Sequence, residues 1–239
     1  MKNNLRLLAM VVLGLFCTQT LLAQSTKFIG NEGTLHYFEL YDGEGKPIKM
    51  ASEMGVNGSP MLLDGWASGV VRYKNGVVFA DTAMNYSSFD NKIFYIENNK
   101  LYQIVLPVAS FYLTYTKNGE AINYHFKSGI PGIDDHDTST LYEVLYEGAN
   151  LQLLQWNHKK VKELSNYGSS REKEFYPEKQ LYLYHPKEQT ITAVRPSLSS
   201  LKKVLPAYAE MIEDYVKSKK LSVKSNDQMV DLLAYLDKQ

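Results

Sequence analysis

The 239-residue sequence predicts an α+β protein, mainly antiparallel β. A meander, sandwich or open barrel carries two or three short C-terminal helices packed against it. Three observations predict this. Strand-like runs recur about every ten residues from Gly69 to Pro196, separated by turn residues. Many of the eighteen tyrosines fall in those runs, and tyrosine favours the half-buried surface of a pleated sheet. After Pro196 the apolar period changes from two to steps of three and four, the spacing of one helical face.

The first residues stand apart from this pattern. Lys2 and Arg6 are followed by an apolar run from Leu7 to Phe16, and Leu21, Leu22 and Ala23 precede Gln24. A positive start, an apolar stretch and a small residue at the cut make a secretory signal peptide, with cleavage near Ala23 and Gln24. The run is short for a membrane span, and Thr-Gln-Thr breaks it. Residues 1–23 therefore read as a signal, 24–196 as the β domain and 197–239 as the helical segment. The chain's one cysteine, Cys17, follows bulky Phe16, which does not suit lipoprotein acylation. Disulfides, thiol catalysis and thiolate metal sites are then excluded from the mature chain. With Lys2 and Arg6 removed the mature chain is slightly acidic and has no basic stripe for a phosphate backbone, so nucleic acid is excluded as a partner. No transmembrane span is expected after signal removal.

In the mature chain, 25–60 is glycine-rich, with "LHYFELY" as one strand and "DGEGKP" as a turn cluster. "GVVRYK" and "VVFAD" flank Asn75-Gly76, whose residues both tolerate positive φ and so predict a two-residue hairpin turn. "AMNYSSF" and "KIFYIE" flank Asp90-Asn91; "KIFYIE" and "KLYQIVL" flank Asn98-Asn99; "SFYLTYT" and "AINYHF" flank "KNGE". Residues 127–140, "KSGIPGIDDHDTST", lack periodicity and read as a loop. "LYEVLYEG" and "NLQLLQW" form a hairpin across Gly148-Ala149-Asn150, and "QLYLYHP" and "QTITAVRP" form another across "KEQ". The charged run "NHKKVKELSNYGSSREKEFYPEK" between them reads as an edge strand or a disordered loop.

From Leu198 to Val216 one apolar helical face recurs. Ser197 is placed to cap it, and Pro206 breaks it into a short and a longer helix. Ser225 and Gln228 form a capping-box pattern before the face Met229, Leu232, Leu233 and Leu236. Such helices must dock on the sheet or on each other. A transmembrane barrel is disfavoured by the polar helical end and by charged strands with irregular loops.

The ordered set "GSPMLLDGWASGVV", "NGVVFADTAMNYSSFDNKIFY", "LYEVLYEGANLQLLQ" and "IEDYVKSKKLSVKSNDQMVDLLAYLD", over roughly residues 57 to 237, resembles an exported protein family of Bacteroidota with no assigned activity. The resemblance implies export from a Gram-negative cell and a β-rich body with helices at its end. It carries no catalytic residues over to this chain.

Catalytic signatures are sparse. "DDHD", Asp134 to Asp137, has the donor types for Zn, Mn or Ca. Its acids do not alternate as in a calcium loop, and HExxH is absent, so a polar loop is the better reading. GxSxG is absent, and Ser59 and Ser68 lack nucleophile-elbow spacing. Asp64, Glu97, Glu143 and Glu147 read as solvent-facing strand residues. No catalytic residue, cofactor or metal is assigned.

Tyrosines alternate along several strands. Tyr112, Thr114 and Thr116 share one face, Tyr182 and Tyr184 oppose Leu181 and Leu183, and Tyr142, Val144 and Tyr146 oppose Leu141, Glu143 and Leu145. The candidate ligand surface is Trp66, Tyr73, Tyr86, Tyr95 and Tyr102, which line a cavity or pave a half-wet sheet. Thr82, in "DTA", matches a short O-glycosylation signal of exported Bacteroidota proteins. The reading that follows is a non-catalytic exported protein binding an envelope protein or glycan. A carbohydrate- or small-molecule-binding domain and a hydrolase with dispersed residues stand as alternatives.

Overall fold

A computed structural model describes residues 55–98, 100–164 and 172–239, and the backbone of 40–41 and 47–48. The signal segment, Ala23, Gln24, Cys17 and His36 lie outside these residues. Thirteen strands join in one open sheet among the described residues. They are β1 (Leu40–Tyr41), β2 (Pro47–Ile48), β3 (Val56–Asn57), β4 (Ala67–Tyr73), β5 (Val78–Ser87), β6 (Lys92–Glu97), β7 (Lys100–Gln103), β8 (Val108–Lys117), β9 (Glu120–Lys127), β10 (Tyr142–Glu147), β11 (Gln152–Leu164), β12 (Glu172–His185) and β13 (Thr190–Val194). The order is β13-β12-β11-β10-β9-β8-β4-β5-β6-β7-β1-β2, with β3 parallel to the far end of β12. Two meanders, β4 to β7 and β8 to β13, thus meet where β4 pairs with β8.

Hairpins close where expected at "KNGE" and between Glu97 and Lys100, while two other turns differ in kind from the sequence expectation. At Asn75-Gly76 the N–H of Gly76 bonds Tyr73 O, and Tyr73 N–H bonds Val77 O. Only Gly76 has positive φ there, at 87°, so the loop has three residues and ends in a glycine bulge. The Asn-Gly pair in "KNGE" does form a two-residue turn, Asn118 and Gly119 having φ of 53° and 85° between paired Lys117 and Glu120. Asp90-Asn91 closes a four-residue loop, because Ser87 pairs with Lys92. The two runs "VVFAD" and "AMNYSSF" are one strand, β5. Asp81 is extruded between the pairs Gly69↔Thr82 and Val70↔Ala80, at φ 59°, which bends the strand without ending it. A second bulge, at Leu145, breaks the expected alternation in β10: Tyr142 and Val144 keep one face, but Tyr146 turns to the other with Leu145. The charged run is neither a lone edge strand nor structureless over 157–164 and 172–179. Those residues continue β11 and β12 as a ribbon in unbroken register from Gln152↔Tyr184 to Leu164↔Glu172.

The sheet curls on itself. Lys159 of β11 gives its backbone N–H to Ser88 O at the end of β5, and its ammonium to the carbonyls of Ser59 and Met61, 2.8 and 2.6 Å away. Inside the curl Val71, Met84, Tyr86, Phe111, Leu113 and Phe126 form one core. The rings of Phe111 and Phe126 stack at 4.5 Å, and Gly69 leaves the space that Met84 fills, since a Cβ there would lie 2.3 Å from its sulfur.

A second core lies between the sheet and the helices. Leu153, Leu181, Leu183 and Val194 meet α1 (Leu198–Val204), α2 (Ala209–Lys219) and α3 (Asn226–Leu236). Ser197 and Ser225 cap α1 and α3 as expected. Gln228 does not complete the capping box, because its amide oxygen takes Lys224 N–H and the Ser222 hydroxyl. Pro206 opens a single 3₁₀ turn between α1 and α2. Val223, fully buried in this core, holds a φ of 52°, a costly value for a β-branched residue that its packing maintains.

Asp237, just past α3, fastens the helical layer to the sheet. Its Oδ1 accepts the N–H groups of Asn150 and Leu151 at 2.7 Å each, and its Oδ2 accepts that of Ala149 at 2.9 Å. Gly148 lets the carboxylate in, since a Cβ there would lie 2.5 Å from Oδ2. Asp237→Ala strands three donors and is expected to cost about 1–3 kcal/mol in urea unfolding. Asp237→Asn, which keeps the oxygen serving two of them, should cost clearly less.

Candidate functional site

The five aromatic residues singled out in the sequence do not share one surface. Tyr86 is core, 1 % exposed, with its hydroxyl on Asn91 Oδ1. Trp66 packs on Met61, Phe94 and Leu101, a separate cluster. Tyr95 and Tyr102 stack at 5.2 Å, and Phe79 meets Tyr95 edge-on at 4.9 Å; Tyr73 packs with Phe79 and Tyr95 against the core of the curl. They pave one flank of the β5–β7 region. Thr82, beside the Asp81 bulge, spends its hydroxyl on Ala80 O.

A different set converges. Residues 128–140 form a loop held by its own polar groups: Gly129 N–H bonds Thr138 O, His136 N–H bonds Ile133 O, and Asp137 Oδ1 accepts from Ser139 N–H and its hydroxyl at 2.7 and 2.6 Å. Those bonds to Ser139 hold the Asp137 carboxyl below its usual range. Ile130, buried, and Ile133 seat the loop on Tyr142, Leu154, Tyr182 and Tyr184. Its centre is His136, whose Nδ1 lies 2.6 Å from the Tyr142 hydroxyl. The His136 ring stands 4.3 Å from Trp156 and 5.5 Å from Tyr182. His158 stacks flat on Trp156 at 4.4 Å and reaches Ser88 O with Nδ1. Among the described residues no group of three or more His, Cys, Asp or Glu side chains is arranged to hold a metal ion. "DDHD" lies in a loop anchored by its histidine.

Beside this anchor lies a groove of about 600 Å³, lined by Asp134, Trp156, Tyr176, Glu178, Gln180 and Tyr182, among others. Strand pairing builds it. Trp156, His158 and Lys160 alternate onto one face of β11, opposite Gln180, Glu178 and Tyr176 of β12, because successive side chains in a strand point to opposite faces. Tyr176, 52 % exposed, is the most open ring, and Trp156 is already engaged by two imidazoles. Lys160 pairs with Glu178 at 2.6 Å, and Gln180 gives its amide to the carbonyls of Leu181 and Val194. Asp134 makes no ion pair among the described residues.

The groove has recognition groups and no nucleophile with a base. Among the described residues no serine hydroxyl reaches a histidine ring; Ser59 instead caps Met61 N–H. Of the candidate acids, Glu143 is tied to Gln155 and Asn157, and Glu147 to Lys127. The groove was hidden in sequence because its parts come from residues 134, 156 and 176–182. The available signal was the alternation of Trp156 and His158 on one strand and of Tyr176 and Tyr182, an even number of residues apart, on the next. Comparison with known proteins gives no matching family model, curated protein or solved structure.

Burial lowers the pKa of His136, and also of His158, from the ordinary 6.5; Asp134 and Asp135 oppose the shift at His136, and the Ser88 carbonyl opposes it at His158. His125, stacked on Tyr112 at 4.2 Å, is lowered by burial against the pull of Glu147. For each, the unfolded chain takes up protons first as pH falls through 6.5, so stability is full above that value and is lost below it. The melting temperature is expected to drop between pH 7.5 and 5.5. His136→Gln, measured by the same melts, should flatten the slope.

Proposed function

We propose that this is an exported, non-catalytic binding protein of the periplasm or cell envelope, and that its ligand binds in the groove beside β12. The observation that carries the binding reading is the convergence of an open tyrosine, a half-buried aromatic–histidine anchor and a carboxylate without an ion pair among the described residues on one concavity, a combination suited to recognition. Export is supported by the charged start, apolar run and small residue of 1–23, and by resemblance to an exported Bacteroidota family. N-terminal sequencing of the cell-made protein should begin near Gln24; an intact chain in the cytoplasm would sink the export reading.

A glycan is the second reading, favoured by Tyr176 beside Asp134, Glu178 and Gln180, since rings and acids or amides together suit sugars. The chain has two tryptophans, so a Trp66→Phe variant reports from Trp156 alone. Titration with fractionated envelope peptides and oligosaccharides should give a saturable change in its emission that Tyr176→Ala abolishes. If neither pool changes the emission, the groove is not the binding site.

A further inference from the structure

β12 is a central strand along only part of its outer edge. β13 pairs with Leu181 to His185, and β3 pairs with Lys173 and Glu174. No strand among the described residues covers the stretch between, Phe175 to Gln180. β13 cannot extend over it, because the chain leaves the ladder at Arg195-Pro196 to enter α1, and proline has no N–H to continue a ladder.

The hydrogen-bonding direction of that stretch follows from one contact. Lys159 turns its N–H away from β12, toward Ser88 O. Its opposite residue is Pro177. In an antiparallel pair, facing residues either both point inward or both point outward. Pro177 therefore points outward, and so do Phe175 and Lys179, two residues away on each side. The open edge offers the N–H and C=O of Lys179 and the C=O of Pro177. Proline here costs the internal ladder nothing, because its missing N–H would have faced outward.

The groove lies along this same edge, with five consecutive β12 residues, 176–180, in its wall. We propose that the gap between β13 and β3 receives an extended segment of another polypeptide, which adds a strand to β12 and brings a Lys or Arg side chain to Asp134. The proposal rests on the binding reading above and specifies its partner.

Two features choose this occupant. The edge presents one backbone donor and two acceptors, at Lys179 and Pro177, spaced as strand residues at ~3.3 Å rise each, a repeat that a polypeptide matches and a sugar chain does not. The charge is complementary at one point: Glu178 is paired with Lys160 and Lys162 stands over the Tyr176 ring at 5.6 Å, which leaves Asp134 as the groove carboxylate without an ion pair among the described residues, a setting for an incoming cationic side chain.

The test uses the mature chain and a fluorescein-labelled hexapeptide, Thr-Val-Lys-Val-Thr-Val, read by anisotropy, with its norleucine analogue and with chitohexaose and cellohexaose as other probes. Saturable binding is expected, with the Lys179 amide newly protected from hydrogen exchange. Lys179→Pro, which removes one outward N–H, should weaken binding about tenfold. Asp134→Asn should weaken the lysine peptide about fivefold and leave the norleucine peptide unchanged. Circular dichroism confirms that each variant is folded, and Asp134→Asn on the surface loop serves if Lys179→Pro is not. Peptide binding without protection of Lys179 overturns strand addition. So does saccharide binding without peptide binding, while leaving the groove reading intact. Concentration-dependent dimers abolished by Lys179→Pro would assign the edge to a second copy and overturn the proposal. No binding by any probe, with Trp156 emission unmoved by the envelope pools, removes the groove reading as well.

Discussion

Lys159 is the point on which the arrangement turns. Its N–H joins β11 to the end of β5, and its ammonium sits between two carbonyls of the segment before β4. Burial lowers its pKa, and Asp64 partly offsets this. A desolvated ammonium is costly unless its donors are used. With two carbonyls supplied, the cost becomes a reason for one particular curl: uncurling would leave those groups to find water again. The same contact fixes which way every backbone group of β11 and β12 faces, and so decides which edge of β12 is open.

Around this point the inner face of β11 is graded. Leu153 lies under the helices; Gln155 and Asn157, both 4 % exposed, follow; Lys159 comes last. Glu143 accepts from both amides, and Asn226 at the start of α3 donates to Gln155. These bonds are directional where leucine packing is not. They pin the register of β10 on β11 and set where α3 begins, in the zone between two apolar cores that would otherwise tolerate sliding.

Sequence patterning reaches this fold unevenly, for physical reasons. Alternation in "FYL" reports burial directly, since Phe111 and Leu113 are core and Tyr112 is exposed; in "LYLY" it separates two buried faces, the leucines under the helices and the tyrosines under the 128–140 loop. Helix limits are local too: Ser197, Pro206 and Ser225 act on backbone within a turn of themselves. Turn geometry was less legible. Asn-Gly is compatible with two loop lengths, and the cross-strand pairing of Tyr73 with Val77 chose the longer. The bulges at Asp81 and Leu145 have no local signature, because the partner strand decides which residue is extruded. The charged run hid a ribbon: lysine and glutamate on exposed strands look like loop in composition, and pairing is non-local. The binding candidates fared worst. Tyrosine count measures sheet surface, whereas a concavity depends on which loop is laid over that surface, and His136 could not be matched with Trp156 from spacing alone.

The clamp at Asp237 bears on how the molecule is made. It joins residues 87 apart in sequence, and α3 supplies four of the buried side chains over the β10–β13 face. During synthesis the leucines of β11 and β12 therefore lack part of their cover until α3 has been made and docked. Contacts that span so much chain form late, after slower loop closure. Until then a sheet face built of leucines is exposed to any apolar surface it meets, so the docking of α3 is the step that ends the risk of aggregation.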